Sequence, residues 1–222
     1  MDGYDVFVSV GATASEKQES FVRSVEDRLR SEGIIPHTVG RNIFGADSPL
    51  KTVMELMDRC HGVVVIALER TYFPAGIEKR GGVDQSSLSD ARYATPWNQI
   101  EAAMACACGI PLMVIMERGL REEGLLSRGY DWYVQRIEPT TAALATVEFN
   151  GVLSSWKEKV VKHAAPGTGK SEAQLKSVAD LTVGELVSGM KAGQLWSVLG
   201  ALAALIGGAF VLGAKLFVSH VK

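Results

Sequence analysis

The chain has 222 residues, and its 23 lysine and arginine side chains nearly balance its 25 aspartates and glutamates. This balance provides no basic surface for nucleic acid, so no nucleic-acid partner is predicted. The three cysteines are too few for a disulfide framework and favour a reducing compartment. The first residues lack a basic segment followed by an apolar one, so no signal peptide is predicted.

Apolar runs typical of buried strands alternate with helical patterns over residues 1–163, which we treat as one domain. The predicted strands cover residues 4–10, 34–39, 62–68, 110–116 and 132–137. The predicted helices begin after Ser15, at Pro49 and at Pro96, and a closing helix covers 149–163. This alternation predicts a doubly wound α/β domain with a parallel five-stranded sheet.

The segment 71–94, between the third strand and the next helix, is polar, mixed in charge and without a sustained period. It is longer than ordinary connections, and such segments are often lids or binding loops. A surface insertion with no role in a site is the alternative. The sequence leaves both interpretations open.

The helix after this segment carries the most informative pair of residues. Thr95 and Pro96 predict its start. Trp97 and Glu101 lie one turn apart, on the shoulder of a predicted apolar stripe formed by Ile100, Ala103, Met104, Ala107 and Cys108. A carboxylate beside apolar surface and an aromatic ring is either part of a pocket or a solvated flank, and the pattern alone does not decide.

In a doubly wound sheet, ligands bind outside the carboxyl ends of the strands. Three segments are predicted to meet there: Ser9–Gly11 after the first strand, 41–48 after the second, and the segment leading into Trp97 and Glu101. No histidine or cysteine stands beside a hydroxyl in a nucleophile arrangement, and no metal site is predicted. A single carboxylate suits cleavage at an anomeric carbon, because the oxocarbenium-like transition state needs a nearby anion.

The C-terminal part of the chain is predicted to cross a membrane. No residue from 192 to 214 is charged, and these about 23 residues suffice for a helix across a hydrocarbon layer of roughly 30 Å. Residues 164–191 then form a linker and juxtamembrane segment, and residues 215–222 a short tail. This predicts a single-pass anchor with the folded domain in the cytoplasm. Small residues at 200, 204 and 208 would let a second helix approach, so a homo-oligomer is predicted.

Within the linker, the sequence AAPGTGKS at 164–171 imitates a phosphate-binding loop. The first glycine of that motif is replaced by Ala164, and the segment follows a helix rather than a strand. Nucleotide phosphate binding is therefore not predicted there.

Several stretches resemble, in order, the sequence boxes of TIR domains. YDVFVSV at 4–10 is similar to the first box, and the loop at 40–49, with the later GVVVIALERTYF, is similar to the second box and the strand after it. WNQIE at 97–101 resembles the W-C-x-x-E pattern, with Asn98 in place of the cysteine. The likeness covers roughly residues 3–163. The stretch IEAAMACACGIPLMVIMERG is also similar to nucleoside deoxyribosyltransferase-like relatives, which place a glutamate on the corresponding helix.

The resemblance implies a flavodoxin-like sheet that assembles through the loop after its second strand. Catalytic TIR domains cleave the nicotinamide–ribose bond of NAD, and their catalytic glutamate corresponds to Glu101. NAD or a related nucleotide is then a substrate, no cofactor is expected, and anti-phage defence alongside other TIR or defence proteins is the implied setting. Together with the strand-end segments, the resemblance predicts these substrate-binding residues: Ser9, Val10, Gly11, Arg41, Phe44, Trp97 and Asn98.

Two interpretations of function remain open from the sequence. In the first, the chain is a membrane-anchored TIR-like enzyme that cleaves an N-glycosidic bond and is activated by clustering. In the second, it is a non-catalytic assembly or nucleotide-sensing module that signals to the membrane, or disrupts it, through the C-terminal helix. The Glu101 carboxylate has a chemical role only in the first.

Overall fold

The computed structural model describes residues 3–46, 48–129 and 132–165, and the predicted membrane span at 192–214 lies outside them. The described residues form strands β1 (Tyr4–Val10), β2 (Ile34–His37), β3 (Gly62–Ala67), β4 (Thr71–Glu78), β5 (Ser86–Tyr93), β6 (Leu112–Glu117) and β7 (Val134–Ile137). Their α-helices are α1 (Glu16–Ser31), α2 (Pro49–Met57), α3 (Pro96–Ala107) and α4 (Val147–Ala164). Within these same ranges, the structure contains no helix with the length and apolar character needed to cross a membrane.

Five of the strands form a parallel sheet in the order β2-β1-β3-β6-β7. This is the strand order of flavodoxin-like doubly wound sheets, and it confirms the predicted α/β class and the five parallel strands. The connection after β1 leads to one edge of the sheet, and the connection after β3 leads toward the other. The carboxyl ends of β1 and β3 therefore form the switch point, where folds of this kind bind ligands.

Helices cover both faces of the sheet and enclose two apolar cores. We call the first the α1/α4 face, where large side chains of both helices are buried, among them Phe21, Leu29, Phe149, Leu153 and Trp156. The second is the α2/α3 face, whose buried helical residues are Val53, Leu56, Met57, Ala102 and Ala105. Between the two cores, all six residues of β3 are buried, as expected for a central strand of a parallel sheet.

The segment 71–94, which has no sustained period in the sequence, contains regular structure. It forms an antiparallel hairpin of β4 and β5, in which Thr71 pairs with Tyr93 and Glu78 pairs with Ser86. Most side chains of both strands are exposed, so no alternation of buried and solvated residues marks these strands in the sequence. Left-handed backbone at Lys79 and Gly81 completes the turn between them.

The inner side of α3 also differs from the predicted apolar stripe. The helix buries Asn98, Glu101, Ala102 and Ala105, whereas Ile100 is 43% exposed. The two alanines are fully buried, and their small side chains let the helix approach the sheet closely. Hydrophobicity alone could not identify this face, since half of it consists of polar residues.

Candidate functional site

Glu101 lies on the side of α3 that faces the sheet, and it is only 7% exposed. Burial raises the pKa of its carboxyl to about 7, and a side-chain hydrogen bond from Ser9 partly opposes this rise. Among the described residues, no cation contributes to the shift. The burial of Glu101 thus excludes the solvated flank that the sequence left open. A carboxyl whose pKa is near neutral is typical of a functional site.

Ser9, in β1, connects Glu101 to Asn98. The Asn98 amide nitrogen Nδ2 donates to Ser9 Oγ at 2.9 Å and lies 3.5 Å from the Ser9 carbonyl oxygen. Because the Ser9 hydroxyl accepts from Asn98, its own proton can be donated to the Glu101 carboxylate. Ser9 and Asn98 are each only 1% exposed, so the three side chains form one buried polar network between α3 and β1.

One atom of this network has no hydrogen-bond partner. The Asn98 amide oxygen Oδ1 is buried and unpaired within the described residues. An unpaired buried oxygen costs about 1–3 kcal/mol of folding free energy. Native proteins keep few such groups, and each indicates strain, an ordered water or a functional role.

A narrow cleft lies at the switch point of the sheet, and Asn98 forms part of its wall. We call it the switch-point cleft, and its lining residues are Gly11, Ala12, Thr13, Gln18, Leu68, Glu69, Arg70, Thr95 and Asn98. Its volume of about 10 Å³ is room for about one water molecule. Ser9 and Glu101 do not line the cleft in this closed form, and Asn98 connects them to it. A ligand larger than a water molecule would therefore enter only after the loops around the cleft separate.

Hydrogen bonds hold the two walls of the switch-point cleft together. Gln18 accepts from the Ala14 backbone nitrogen at 2.7 Å and donates to the Glu69 carbonyl oxygen at 3.0 Å. Arg70 donates to the Ala12 carbonyl oxygen at 3.3 Å. A hydrogen bond of this kind contributes about 0.5–1.5 kcal/mol of stability. Breaking these hydrogen bonds therefore costs less free energy than the binding of a nucleotide-sized ligand supplies.

Gly11 brings the loop after β1 against the beginning of α3. A Cβ atom at this position would lie 2.9 Å from Thr95 Cγ2, which is closer than real Cβ contacts allow. Thr95 is the N-cap of α3, and its hydroxyl accepts from the Trp97 backbone nitrogen at 3.4 Å. The glycine thus permits the close approach that forms one wall of the cleft.

The structure brings part of the predicted site together. Ser9, Asn98 and Glu101 form the buried network, and Gly11 lines the same cleft as Asn98. Val10 is partly buried and packs against the α1/α4 face. Trp97 is 40% exposed at the start of α3 and does not line the cleft. The substrate-binding roles of these residues stay predictions.

Arg41 and Phe44 lie in the loop after β2, away from the lining of the switch-point cleft. Arg41 donates to both carboxylate oxygens of Glu19, each at 2.8 Å, and lies 3.4 Å from a carboxylate oxygen of Glu26. The Arg41 hydrogen bonds lower the pKa of the Glu19 carboxyl to about 2. Phe44 is 78% exposed. The Arg41 charge is paired with α1 in this structure, and a substrate contact by either residue stays a prediction.

The wall formed by Leu68, Glu69 and Arg70 is not among the residues predicted from the sequence. These residues directly follow β3, and β3 is the parallel neighbour of β1. The rule that ligands bind at the carboxyl ends of strands could have identified them, because it places the turn after β3 beside the turn after β1. In the sequence, the candidate for a lid or binding loop is instead the neighbouring segment 71–94.

Wider grooves on the described part of the chain lie elsewhere. Their volumes are about 240 Å³ beside β7 and α4, about 480 Å³ between α1 and the loop after β2, and about 650 Å³ around β2. None of these three is lined by Ser9, Asn98 or Glu101. The described residues also contain no group of three His, Cys, Asp or Glu side chains arranged to hold a metal ion.

Two solved structures are similar to this chain at low sequence identity. One is a CMP N-glycosidase of Clostridium botulinum, BcmB, with 13% identity, a TM-score of 0.42, and coverage of 68% of this chain and 98% of that chain. The other contains the TIR domains of the activated Roq1 resistosome recognising the effector XopQ, with 14% identity, a TM-score of 0.33, and coverage of 90% and 99%. No protein-family model and no curated protein matches the chain. Likenesses of this strength assign neither a family nor an activity.

Proposed function

We propose that this chain hydrolyses the N-glycosidic bond between nicotinamide and ribose in NAD or a related nucleotide, with Glu101 as the catalytic carboxylate. One observation carries the proposal. Glu101 is a buried carboxyl, joined through Ser9 to a cleft at the switch point of the sheet. No cation among the described residues contributes to its pKa shift, so no ion pair neutralises the negative charge of its ionised form.

The proposed reaction needs a carboxylate more than it needs a proton donor. The bond from C1′ to the nicotinamide nitrogen breaks, and its electron pair leaves with the nitrogen, which is cationic in NAD and becomes neutral. Positive charge then develops on C1′ and the ring oxygen of the ribose, where the ionised Glu101 stabilises it. Water adds to C1′ and releases a proton to the solvent, giving ADP-ribose. The low dielectric around a buried carboxylate strengthens this stabilisation.

The direct test is nicotinamide release from NAD by the full-length protein, measured by chromatography. Glu101→Gln keeps the size of the side chain and an oxygen that accepts from Ser9, but it removes the charge. We expect kcat/KM to fall by about 10²–10³-fold. Glu55→Gln makes the same chemical change on the exposed side of α2 and should leave turnover unchanged. Equal activity of Glu101→Gln and the wild type would exclude this role for Glu101.

The pH profile of kcat/KM identifies the class of leaving group. With NAD, the active form of Glu101 is the carboxylate, so the rate should rise with pH through about 7 and then level off. A neutral base such as the cytosine of CMP leaves as an anion unless it is protonated. Its cleavage would use the protonated Glu101 and should fall above about pH 7. A falling profile would thus replace the pyridinium substrate class with the neutral-base class.

The proposal extends to the setting implied by the sequence. Residues 192–214 anchor the chain in the membrane, and clustering of the anchored domains activates it in anti-phage defence. Removing residues 192–222 should move the protein from the membrane fraction to the soluble fraction. Bacteria expressing the wild type should lose NAD after phage infection, and bacteria expressing Glu101→Gln should not. Unchanged NAD levels in both would contradict the defence role.

A specific observation favours a second candidate function, a non-catalytic assembly module. The switch-point cleft is closed to about 10 Å³, whereas Phe44 exposes 78% of its surface in the loop after β2. An assembly module needs the exposed ring and not the buried carboxyl. Phe44→Ala would then reduce the mass of the assembly in light scattering, and Glu101→Gln would leave both the assembly and the cellular function intact.

A further inference from the structure

The orientation of the Asn98 amide is fixed by its partners. Nδ2 lies 2.9 Å from Ser9 Oγ and 3.5 Å from the Ser9 carbonyl oxygen. If the amide were rotated, Oδ1 would face that carbonyl oxygen, and two acceptors would repel each other. The donor end of Asn98 is therefore held by Ser9. The unpaired end is Oδ1, an acceptor that can pair only with an O–H or N–H donor.

The residue with the unpaired oxygen shares a hydrogen-bond partner with the carboxyl that is proposed to act at C1′. Asn98 and Glu101 both form hydrogen bonds with the Ser9 side chain. Asn98 also lines the switch-point cleft, so a sugar in the opened cleft meets Asn98, and Glu101 is joined to Asn98 through the Ser9 hydroxyl. The nearest hydroxyl to C1′ is the one on C2′, the adjacent carbon of a ribose.

We infer that Asn98 Oδ1 accepts a hydrogen bond from the 2′-hydroxyl of the ribose whose N-glycosidic bond is cleaved, and that it thereby selects ribosyl over 2′-deoxyribosyl substrates. The inference rests on the proposed function, which places C1′ at Glu101. It assigns a partner to the buried oxygen, which is otherwise unpaired in the described residues. A substrate lacking this hydroxyl leaves the oxygen unpaired in the complex, and sites of that kind reject such analogues.

The selection opposes the intrinsic chemistry of the substrates. An electron-withdrawing 2′-hydroxyl destabilises positive charge at C1′, so 2′-deoxyribosyl bonds break more readily in the absence of a protein. A preference for ribose must therefore come from binding in the transition state, and it should disappear with the side chain that supplies the contact.

The test is a cycle of two proteins and two substrates: full-length wild type and Asn98→Ala, each with NAD and with an NAD analogue lacking the 2′-hydroxyl on the nicotinamide-bearing ribose. We expect the wild type to prefer NAD in kcat/KM by about tenfold or more, and Asn98→Ala to lose that preference. If Asn98 only supports the fold, both substrates will lose activity by the same factor, and the inference fails.

Ser9→Ala is the matched control for the positioning part of the network. It removes the hydroxyl that joins Asn98 to Glu101 but keeps the Ser9 carbonyl oxygen, the second acceptor of Asn98 Nδ2. We expect it to lower kcat/KM for both substrates while the preference for NAD is retained. Loss of the preference in Ser9→Ala together with its retention in Asn98→Ala would assign the discrimination to Ser9 and overturn the inference.

Binding of unreactive products separates this inference from the proposed function. Calorimetry on full-length Glu101→Gln, with and without Asn98→Ala, would use ADP-ribose and its analogue lacking the terminal 2′-hydroxyl. If NAD is not cleaved but ADP-ribose binds with a preference that depends on Asn98, the proposed function fails, and the contact of Asn98 with the 2′-hydroxyl stands as a binding contact. If NAD is cleaved with a preference that Asn98→Ala does not change, the inference fails alone. If no ribosyl compound binds or reacts, both fail.

Discussion

The two faces of the sheet differ most in the side chains that α4 and α3 contribute to them. On the α1/α4 face, large apolar residues such as Phe149 and Leu153 are each only 1% exposed and pack against the strands. On the α2/α3 face, the space between α3 and β1 holds Ser9, Asn98 and Glu101. One of these carries an unpaired oxygen, and another a carboxyl whose charged form is disfavoured by burial. Both features lower stability, which is a common property of sites that carry function.

This contrast indicates a division of roles within one domain. Apolar packing dominates the α1/α4 face, although it also buries Gln135 of β7, which is in register with Ile115 of that face and has no side-chain hydrogen-bond partner in the described residues. The polar network lies on the opposite face, where the carboxyl ends of β1 and β3 open to the switch-point cleft. Substitutions on the two faces should therefore change different measured quantities.

The largest loss of stability should come from the α1/α4 face. Phe149 is only 1% exposed, and Phe149→Ala should lower the free energy of unfolding by about 3–5 kcal/mol, because it removes buried apolar surface and leaves a cavity. Urea denaturation measures the loss. Val147→Ala, in the first turn of the same helix, changes a residue that is 90% exposed and should stay within about 0.5 kcal/mol of the wild type. If Phe149→Ala and Val147→Ala both changed the free energy of unfolding by equally small amounts, the contrast between the two faces would not hold.

On the α2/α3 face, a substitution in the polar network should raise the free energy of unfolding instead of lowering it. The pKa of Glu101 is raised from 4.5 to about 7 in the folded protein, so its contribution to stability is fully present below pH 4.5 and is lost as the pH rises through 7. Glu101→Gln should therefore be more stable than the wild type at pH 8, by on the order of 1–3 kcal/mol, and nearly equal to it at pH 4. Denaturation curves at the two pH values test this. A variant less stable than the wild type at pH 8 would contradict the burial argument.

A close contact at the edge of the cleft offers a paired test. Gly11→Ala would place a Cβ atom 2.9 Å from Thr95 Cγ2, and it should cost about 1–3 kcal/mol of stability through overpacking. Thr95→Ser removes that methyl group and keeps the hydroxyl that caps α3. The double variant should therefore recover most of the loss in thermal unfolding. Without recovery, the cost would lie in the backbone of the loop rather than in this contact.

The smallest effect should come from Arg41, which joins the loop after β2 to α1. Arg41→Gln should lower the free energy of unfolding by about 1–2 kcal/mol at pH 7, because Glu19 loses its bidentate ion pair with the guanidinium. The pKa of Glu19 is lowered to about 2, so the stabilisation is present above pH 4.5 and fades as the pH falls toward 2. The KM of Arg41→Gln for NAD tests whether Arg41 also contacts the substrate. An unchanged KM limits Arg41 to this structural role, and a raised KM supports the predicted substrate contact.

The parallel sheet could be predicted from the sequence because its central strands are buried on both faces. β3 appears as the run GVVVIA, and all six of its residues are buried. The inner face of α3 could not be predicted in this way. Its buried residues are two small alanines and two polar side chains, whereas Ile100, the most apolar residue nearby, is 43% exposed. A hydrophobicity pattern identifies a buried face only where the buried side chains are apolar.

The carboxyl of the candidate site was identifiable from the sequence, but its surroundings were not. Its place on the helix after Thr95 and the family resemblance both point to Glu101. Its burial, its connection to Ser9, and the unpaired oxygen of Asn98 depend on how α3 is rotated against β1. The closed state of the cleft depends on the bond from Gln18 to the Glu69 carbonyl, which joins residues 51 positions apart. No local pattern contains such information.

The β4–β5 hairpin enters and leaves the domain at a single place. Its outermost pair is Thr71 and Tyr93, and the Arg70 backbone nitrogen donates to the Tyr93 carbonyl oxygen at 2.8 Å. A turn of a few residues could join the two ends, and the entropy of closing a loop changes only slowly with its length. The hairpin can therefore be shortened or replaced in designed variants while its two ends stay joined. Such variants would lose the ion pair between Glu78, at the far end of the hairpin, and Arg121.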